Sequence, residues 1–238
     1  CGAIWVGDLG MLVVLTGFMG VGKTTIGNRL ARALGVSLMD TDEMVESRCG
    51  MSVRKIVEDR GEKIFRRFET EAIGMLPARA RTAVSLGGGA LGRSKNLQSL
   101  RRRGGIIVYL EAPLGVLRTR LRRTQTEARP LWAKKGPGGL ALLFKKRSRA
   151  YEGSADLVIR ASGRPATEIA REVIERASEI SNGKADADQS SSRGKVVRDS
   201  RQARPARSAA HSPISAGGPT RSSHESAGVQ AGGAGPSR

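Results

Sequence analysis

Histidine is missing from the first 180 residues of this 238-residue chain, since His211 and His224 both lie in the C-terminal stretch. A histidine general base and a histidine-ligated metal are therefore excluded from the body of the protein. Aromatic residues make up only 3% of the chain, and no strand-like run interleaves them. That argues against a sheet built to stack on bases. Two cysteines, Cys1 and Cys49, form neither a disulfide framework nor a metal cluster, and they fit a reducing compartment, the cytoplasm. No apolar run approaches the ~18 residues that suggest a membrane span. The N-terminus lacks the basic region and long apolar region of a signal peptide. Residues 1–10 read as an N-terminal extension ahead of Met11.

Acidic residues are also in deficit. Up to Ile180 there are 32 Lys and Arg against 18 Asp and Glu, and beyond it 9 against 4. A surface this basic suits anionic ligands and attracts nucleic acid nonspecifically at low salt. Residues 181–238 contain no Leu, Met, Phe, Tyr or Trp and are dominated by Ser, Gly, Ala, Arg and Pro. Such a segment buries too little apolar area to offset its chain entropy, so composition predicts a disordered basic tail.

Between these ends the pattern alternates. Apolar runs predict strands at Leu12–Thr16, Ser37–Asp40, Ala83–Leu86, Ile106–Leu110 and Leu157–Arg160. Helical spacing predicts helices over Thr24–Leu34, Thr41–Cys49, Ser52–Arg60, Glu62–Leu76, Ser94–Arg103, Pro113–Arg123, Leu140–Tyr151 and from Pro165 to Ile180. Strands alternating with helices imply a five-stranded parallel sheet covered on both faces, an α/β fold of three layers. Thr124–Gly139 is polar, rich in Gly and Pro and without periodicity, and reads as a long mobile loop.

The first strand runs into Gly17-Phe18-Met19-Gly20-Val21-Gly22-Lys23-Thr24-Thr25. This is G-x-x-x-x-G-K-[ST] between a strand and a helix, the context that gives the pattern its meaning. The glycines let consecutive N–H groups converge on one anion, Lys23 reaches the β- and γ-phosphates, and the Thr24 hydroxyl suits Mg²⁺. The chain therefore binds a nucleoside triphosphate.

Five further features stand at strand ends or in loops, where an open α/β sheet places its ligands. Asp40-Thr41-Asp42 closes the second strand and suits either a metal shell with a substrate hydroxyl, or simple helix capping. Gly61-Glu62-x-x-Phe65-Arg66-Arg67-x-Glu69 puts Arg66 and Glu69 on one helix face, as a site or as a surface ion pair. Gly87-Gly88-Gly89 offers bare N–H groups where an ordinary turn needs one glycine. Arg123 and Arg129-Pro130-Leu131 flank the start of the mobile loop, and Lys146-Arg147-x-x-x-Tyr151 lies on the helix leaving it.

In that order and spacing these motifs resemble the shikimate kinase family, over about Met11–Ile180. The resemblance implies a P-loop nucleotide-kinase-like domain over 11–180 with a lid at about 124–139, Mg²⁺ as cofactor and ATP as co-substrate. It implies an ATP site of Gly20, Val21, Gly22, Lys23, Thr24, Thr25, Arg123, Arg129 and Arg164, with Thr24 on the metal and Asp40 supporting it through water. Asp42, Arg66, Gly87, Gly88, Gly89 and Arg147 would hold shikimate, with Glu69 fixing Arg66. Lys23, Asp42 and Arg129 would be catalytic. The expected partners are ATP and shikimate, with no membrane, no specific nucleic acid, and a monomeric protein. Departures from the family pattern are Ser148-Arg149-Ala150 where Ala-Pro-Leu is usual, a basic, glycine-rich stretch at Trp132–Gly139, and Arg160 where an acidic residue is common. A gluconate kinase-like enzyme, or a non-catalytic sensing or nucleic-acid-associated module on the same fold, are the competing readings.

Overall fold

The computed structural model describes residues 11–123 and 136–199. Among them five strands form one sheet: β1 (Leu12–Thr16), β2 (Leu38–Asp40), β3 (Thr82–Ser85), β4 (Gly105–Glu111) and β5 (Leu157–Arg160). The order is β2-β3-β1-β4-β5 and every pairing is parallel. Eight α-helices connect or flank them: α1 (Lys23–Leu34), α2 (Thr41–Cys49), α3 (Val53–Arg60), α4 (Glu62–Met75), α5 (Ser94–Arg102), α6 (Leu114–Arg123), α7 (Gly136–Glu152) and α8 (Ala166–Asp199). A short 3-10 turn, Ala90–Gly92, precedes α5. The α/β architecture is the one that the alternating pattern predicts.

β1 is buried over its whole length, with β3 and β4 on its two sides. Its sequence LVVLT shows no alternation because both faces are covered, and each such Leu or Val contributes about 1.5–3 kcal/mol on burial. The amphipathic helices complete the core with Ile26 and Leu30 from α1, Ile73 from α4, Leu117 from α6 and Val173 from α8. A second, smaller cluster of Val45, Ile56, Phe65 and Ala72 ties α2, α3 and α4 together.

The register is what assembles the site. Leu15 pairs with Ser85, and Ser85 with Asp40, so β1, β3 and β2 reach their carboxyl ends at one level. The segments that follow those ends, Gly17–Gly22, Gly87–Gly89 and Thr41–Asp42, thus lie along one rim. The connections leaving β1 and β4 run to opposite sides of the sheet, which opens a crevice at that rim.

Two boundaries differ from expectation. The Gly/Pro-rich loop expected through Gly139 ends earlier, because Gly136–Gly139 form the first turn of α7. Pro137 there needs no intrahelical donor, and Leu140 onward supplies the packing that glycine cannot. Within the stretch after Ile180 that composition predicts to be disordered, α8 continues as helix to Asp199. Once nucleated, a helix adds one hydrogen bond per residue fixed, so it runs on through residues of low helix propensity. Contacts divide the chain into Cys1–Gly194 and Lys195–Arg238, and all the chemistry below belongs to the first unit. The expected extension 1–10, residues 124–135 of the lid expected at about 124–139, with Arg129, and residues 200–238 lie outside the described residues.

Candidate active site

The donor half forms around β1 and α1. Gly20 and Gly22 adopt φ of +79° and +104°, conformations that glycine takes freely. Gly22 is the N-cap of α1 and brings no side chain to its free N–H groups, so the helix start stays open to an anion. Lys23 Nζ donates to Gly17 O at 3.0 Å, which holds the ammonium against the loop. Thr24 and Thr25 are exposed on the first turn. Together with Gly20, Val21, Gly22, Arg123 and Arg164 they line a cleft of about 590 Å³. Every described residue expected at the ATP site is therefore gathered there. Arg164 is fixed at its edge by Glu168 (2.8 Å) and Glu172 (2.6 Å).

Arg120 lines the same cleft and is missing from the sequence-based set. Its guanidinium donates to Val21 O at 3.0 Å and, at longer range, to Gly20 O and Ala161 O, both at 3.4 Å.

The acceptor half lies beside it. Asp40 is the N-cap of α2, and its Oδ1 accepts from Asp42 N at 2.9 Å. The helix cap, one of the two readings that the sequence allows for Asp40, is thus present. Thr41 is fully buried and links α2 to β3: its hydroxyl donates to Ser85 O and accepts from Gly87 N at 2.9 Å. Asp42 is thereby aimed inward, and its Oδ1 is buried with no partner in the protein. Burial pushes its carboxyl up to about 6, and Asp40 adds to the rise, against the opposing pull of Lys23 and Arg66. An unsatisfied carboxylate oxygen of this kind is costly unless a ligand hydroxyl meets it.

Arg66 binds both oxygens of Glu69 through Nη1 at 3.0 Å and Glu62 Oε1 through Nη2 at 3.0 Å. Glu69 is fully buried, so this is no surface ion pair. Burial raises the Glu69 carboxyl, and Arg66 opposes that rise. The i, i+3 spacing on α4 supplies the geometry.

Gly87, Gly88 and Gly89 form the floor between these groups, and each is glycine for a different neighbour. A methyl on Gly87 would stand 2.5 Å from Asp42 Oδ1 and 2.8 Å from Glu69 Oε1. One on Gly88 would stand 2.9 Å from Arg147 Nη1, and one on Gly89 would collide with the Arg66 guanidinium. Tyr151, fully buried, donates to Gly88 O at 2.5 Å and packs on Tyr109. Arg66, Gly88, Gly89, Arg147 and Tyr151 line a pocket of about 320 Å³, with Glu62, Arg93 and Lys146 at its mouth. Of the departures on α7, Ser148 is buried, Ala150 lines the pocket, and the added charge of Arg149 is exposed outside that lining. Arg160 is exposed on β5 and bonds Ser162.

Two predictions arise here. Gly87→Ala should lower kcat/KM for the acceptor by about 10- to 100-fold with nucleotide affinity unchanged, since one methyl would displace two carboxylates together. Steady-state kinetics in each substrate will separate the two effects. The second concerns pH. The folded Asp42 carboxyl titrates near 6, above its ordinary 3.8. Activity should therefore fall as pH drops through about 6. The contribution of this group to stability runs the other way, present at low pH and lost as pH rises through 6. A pH–rate profile beside a pH series of melting temperatures tests both signs.

Among the described residues no helix is long and apolar enough to cross a membrane. Nor does any group of three or more His, Cys, Asp and Glu stand ready for a metal.

Comparison with known proteins adds to this geometry. A family model described as shikimate kinase matches residues 19–178. The shikimate kinase of Geobacter sulfurreducens is 41% identical over 165 residues, 69% of this chain and 89% of its own. That of Moorella thermoacetica is 39% identical over 164 residues, 68% of this chain and 92% of its own. Among solved structures, the shikimate kinase of Acinetobacter baumannii in complex with shikimate superposes with a TM-score of 0.66 at 33% identity, covering 72% of this chain and 94% of that one. A gluconokinase from Sinorhizobium meliloti, 17% identical with a TM-score of 0.51 over 75% of this chain and 98% of its own, shares the fold alone.

Proposed function

This chain belongs to the shikimate kinase family, and from that premise we propose how its residues carry out the ATP-dependent phosphorylation of shikimate. The observation that carries the assignment of roles is Asp42, a buried carboxylate with an unpartnered oxygen, set between the phosphate loop and the Arg66–Glu69 pair.

ATP lies in the cleft at the start of α1, its phosphates on the loop amides and Lys23, its adenine side toward Arg123 and Arg164. Shikimate lies in the adjoining pocket. Its carboxylate meets Arg66, Arg147 and the Gly88 amide, which suits the planar, forked guanidinium. Its 3-hydroxyl meets Asp42. As that oxygen bonds to the γ-phosphorus, its proton passes to Asp42 and the bridging bond to the β-phosphate breaks, giving shikimate 3-phosphate and ADP in the chorismate route to aromatic amino acids. Phosphoryl transfer asks little covalent help, so positioning and charge stabilisation carry it. Arg129 belongs, by the resemblance, to the lid that neutralises the transferring group and excludes water.

The donors present fit magnesium. Thr24 and Asp40 offer hard oxygen ligands, and the lack of a larger described cluster suits an ion held mainly by phosphate and water. Thr24 would hold it directly and Asp40 through water, and once bound it supplies charge neutralisation on the β- and γ-phosphates.

A coupled ADP-release assay with shikimate, gluconate and nucleoside monophosphates tests the reading. Turnover is expected with shikimate; turnover with another acceptor and none with shikimate would refute it.

A further inference from the structure

The nucleotide cleft is lined by an arginine, Arg120, that neither the P-loop pattern nor the family resemblance accounts for. α6 carries a run of basic residues, Arg118, Arg120, Arg122 and Arg123, of which Arg118, Arg122 and Arg123 are exposed while Arg120 is turned inward. Its Nη1 reaches Val21 O at 3.0 Å and Gly20 O at 3.4 Å, and its Nη2 reaches Ala161 O at 3.4 Å. Val21 and Gly20 belong to the phosphate loop, whereas Ala161 opens the segment after β5 that lines the other side of the cleft. A single guanidinium therefore spans the two walls. The packing agrees, because a methyl on Gly20 would touch Leu121 at 3.3 Å and Leu117 O at 3.6 Å, which places α6 directly against the loop.

A phosphate-binding loop works by turning N–H groups toward the anion, and the same peptide planes turn carbonyls away from it. Those carbonyls need donors, or the planes lose their orientation. Helix α1 takes only part of this load, with Ile26 N bonding Gly22 O. The carbonyls of Gly20 and Val21 lie just before the helix. Arg120 supplies them from behind, with a planar fork that reaches separate acceptors at once and that lysine cannot reproduce.

We propose that Arg120 is a positioning residue for the nucleotide: it holds the Gly20 and Val21 peptide planes, and the Ala161 segment opposite, in the arrangement that receives the phosphates. This rests on the nucleotide-cleft reading above. It acts through backbone carbonyls rather than as a point charge on the phosphates, and so it affects the donor and not the acceptor.

The test is ADP binding by calorimetry, with Mg²⁺ present, beside steady-state kinetics and apo melting temperatures, on wild type, Arg120→Ala and Arg120→Lys. Arg120→Ala is expected to raise the ADP Kd and the ATP KM about tenfold while the shikimate KM stays within twofold. Arg120→Lys is expected to recover less than half of that loss, because an ammonium keeps the charge but not the fork. Full recovery in Arg120→Lys would overturn the proposal in favour of a simple charge. So would unchanged ADP affinity in Arg120→Ala, whether or not its melting temperature falls. Should the alanine variant fail to fold, Arg120→Gln, which keeps a planar amide donor on a shorter stem, serves in its place under the same criteria. If wild type itself binds no ADP, the cleft reading falls and takes this proposal with it, a result distinct from either variant's.

Discussion

Asp42→Asn should lower kcat by about 10²- to 10⁴-fold, the range a positioned general base supplies, while the Kd for ADP changes less than twofold. The two effects part because Asp42 sits on the acceptor side. Its carboxylate touches the space above Gly87, whereas the phosphate loop is held by its own backbone, Lys23 and α1. Asparagine keeps the volume and the position at the start of α2, so the Asp40 cap and the Thr41 bridge to Gly87 survive. What disappears is the acceptor for the hydroxyl proton. The decline of activity below pH about 6 should disappear with it, because its titrating group is gone. The variant should also melt at higher temperature than wild type near neutral pH, since a neutral amide escapes the cost of a buried, unpartnered charge. Wild-type turnover, or an unchanged acid limb, would refute the role given to Asp42.

Arg66→Met should cost about as much, in two currencies. The substrate carboxylate loses its forked partner, and truncating one member of a buried charged pair costs about 2–5 kcal/mol, so kcat/KM for shikimate should fall by roughly 30- to 4,000-fold. Glu69, fully buried, is at the same time left without its partner, which costs about 3–5 kcal/mol of stability at neutral pH. Protonating Glu69 relieves that cost, so the deficit in melting temperature should shrink as pH falls. The double variant Arg66→Met/Glu69→Met separates the two effects. It should recover most of the lost melting temperature and none of the shikimate affinity. Recovery of affinity would mean that Arg66 acts through the helix and not on the substrate.

How much of this was legible in the sequence follows from what each residue depends on. The phosphate loop was readable because backbone geometry imposes its glycine and lysine spacing locally. β1 and β4 were readable because strands buried on both faces must be apolar throughout. The Arg66–Glu69 pair was half readable: the spacing gives the shared helix face, but its burial depends on Gly87–Gly89 arriving from another strand. Arg120 was illegible, since nothing local separates it from the other arginines of α6. Its role comes from Val21 and Ala161, which are distant in sequence. The Tyr151–Gly88 bond was likewise hidden, as it joins the end of α7 to the end of β3. The helix bounds at Gly136 and Asp199 are not legible in composition, which registers poor helix formers, while a helix already under way extends through them.

The glycine floor carries a consequence for anyone wishing to retune or block this enzyme. Three adjacent positions each abut functional side-chain tips, the Asp42 and Glu69 carboxylates, the Arg147 guanidinium and the Arg66 guanidinium, so a replacement there displaces the groups that form the pocket instead of opening room for a new ligand group. Glu62, Arg93 and Lys146 stand exposed around the mouth of the pocket, Arg93 bonded to the Arg66 carbonyl and Glu62 to its guanidinium. Selectivity can therefore be redesigned from the rim inward, and an inhibitor gains reach by growing outward past Arg66 and Arg147 toward those three charges rather than down into the glycines.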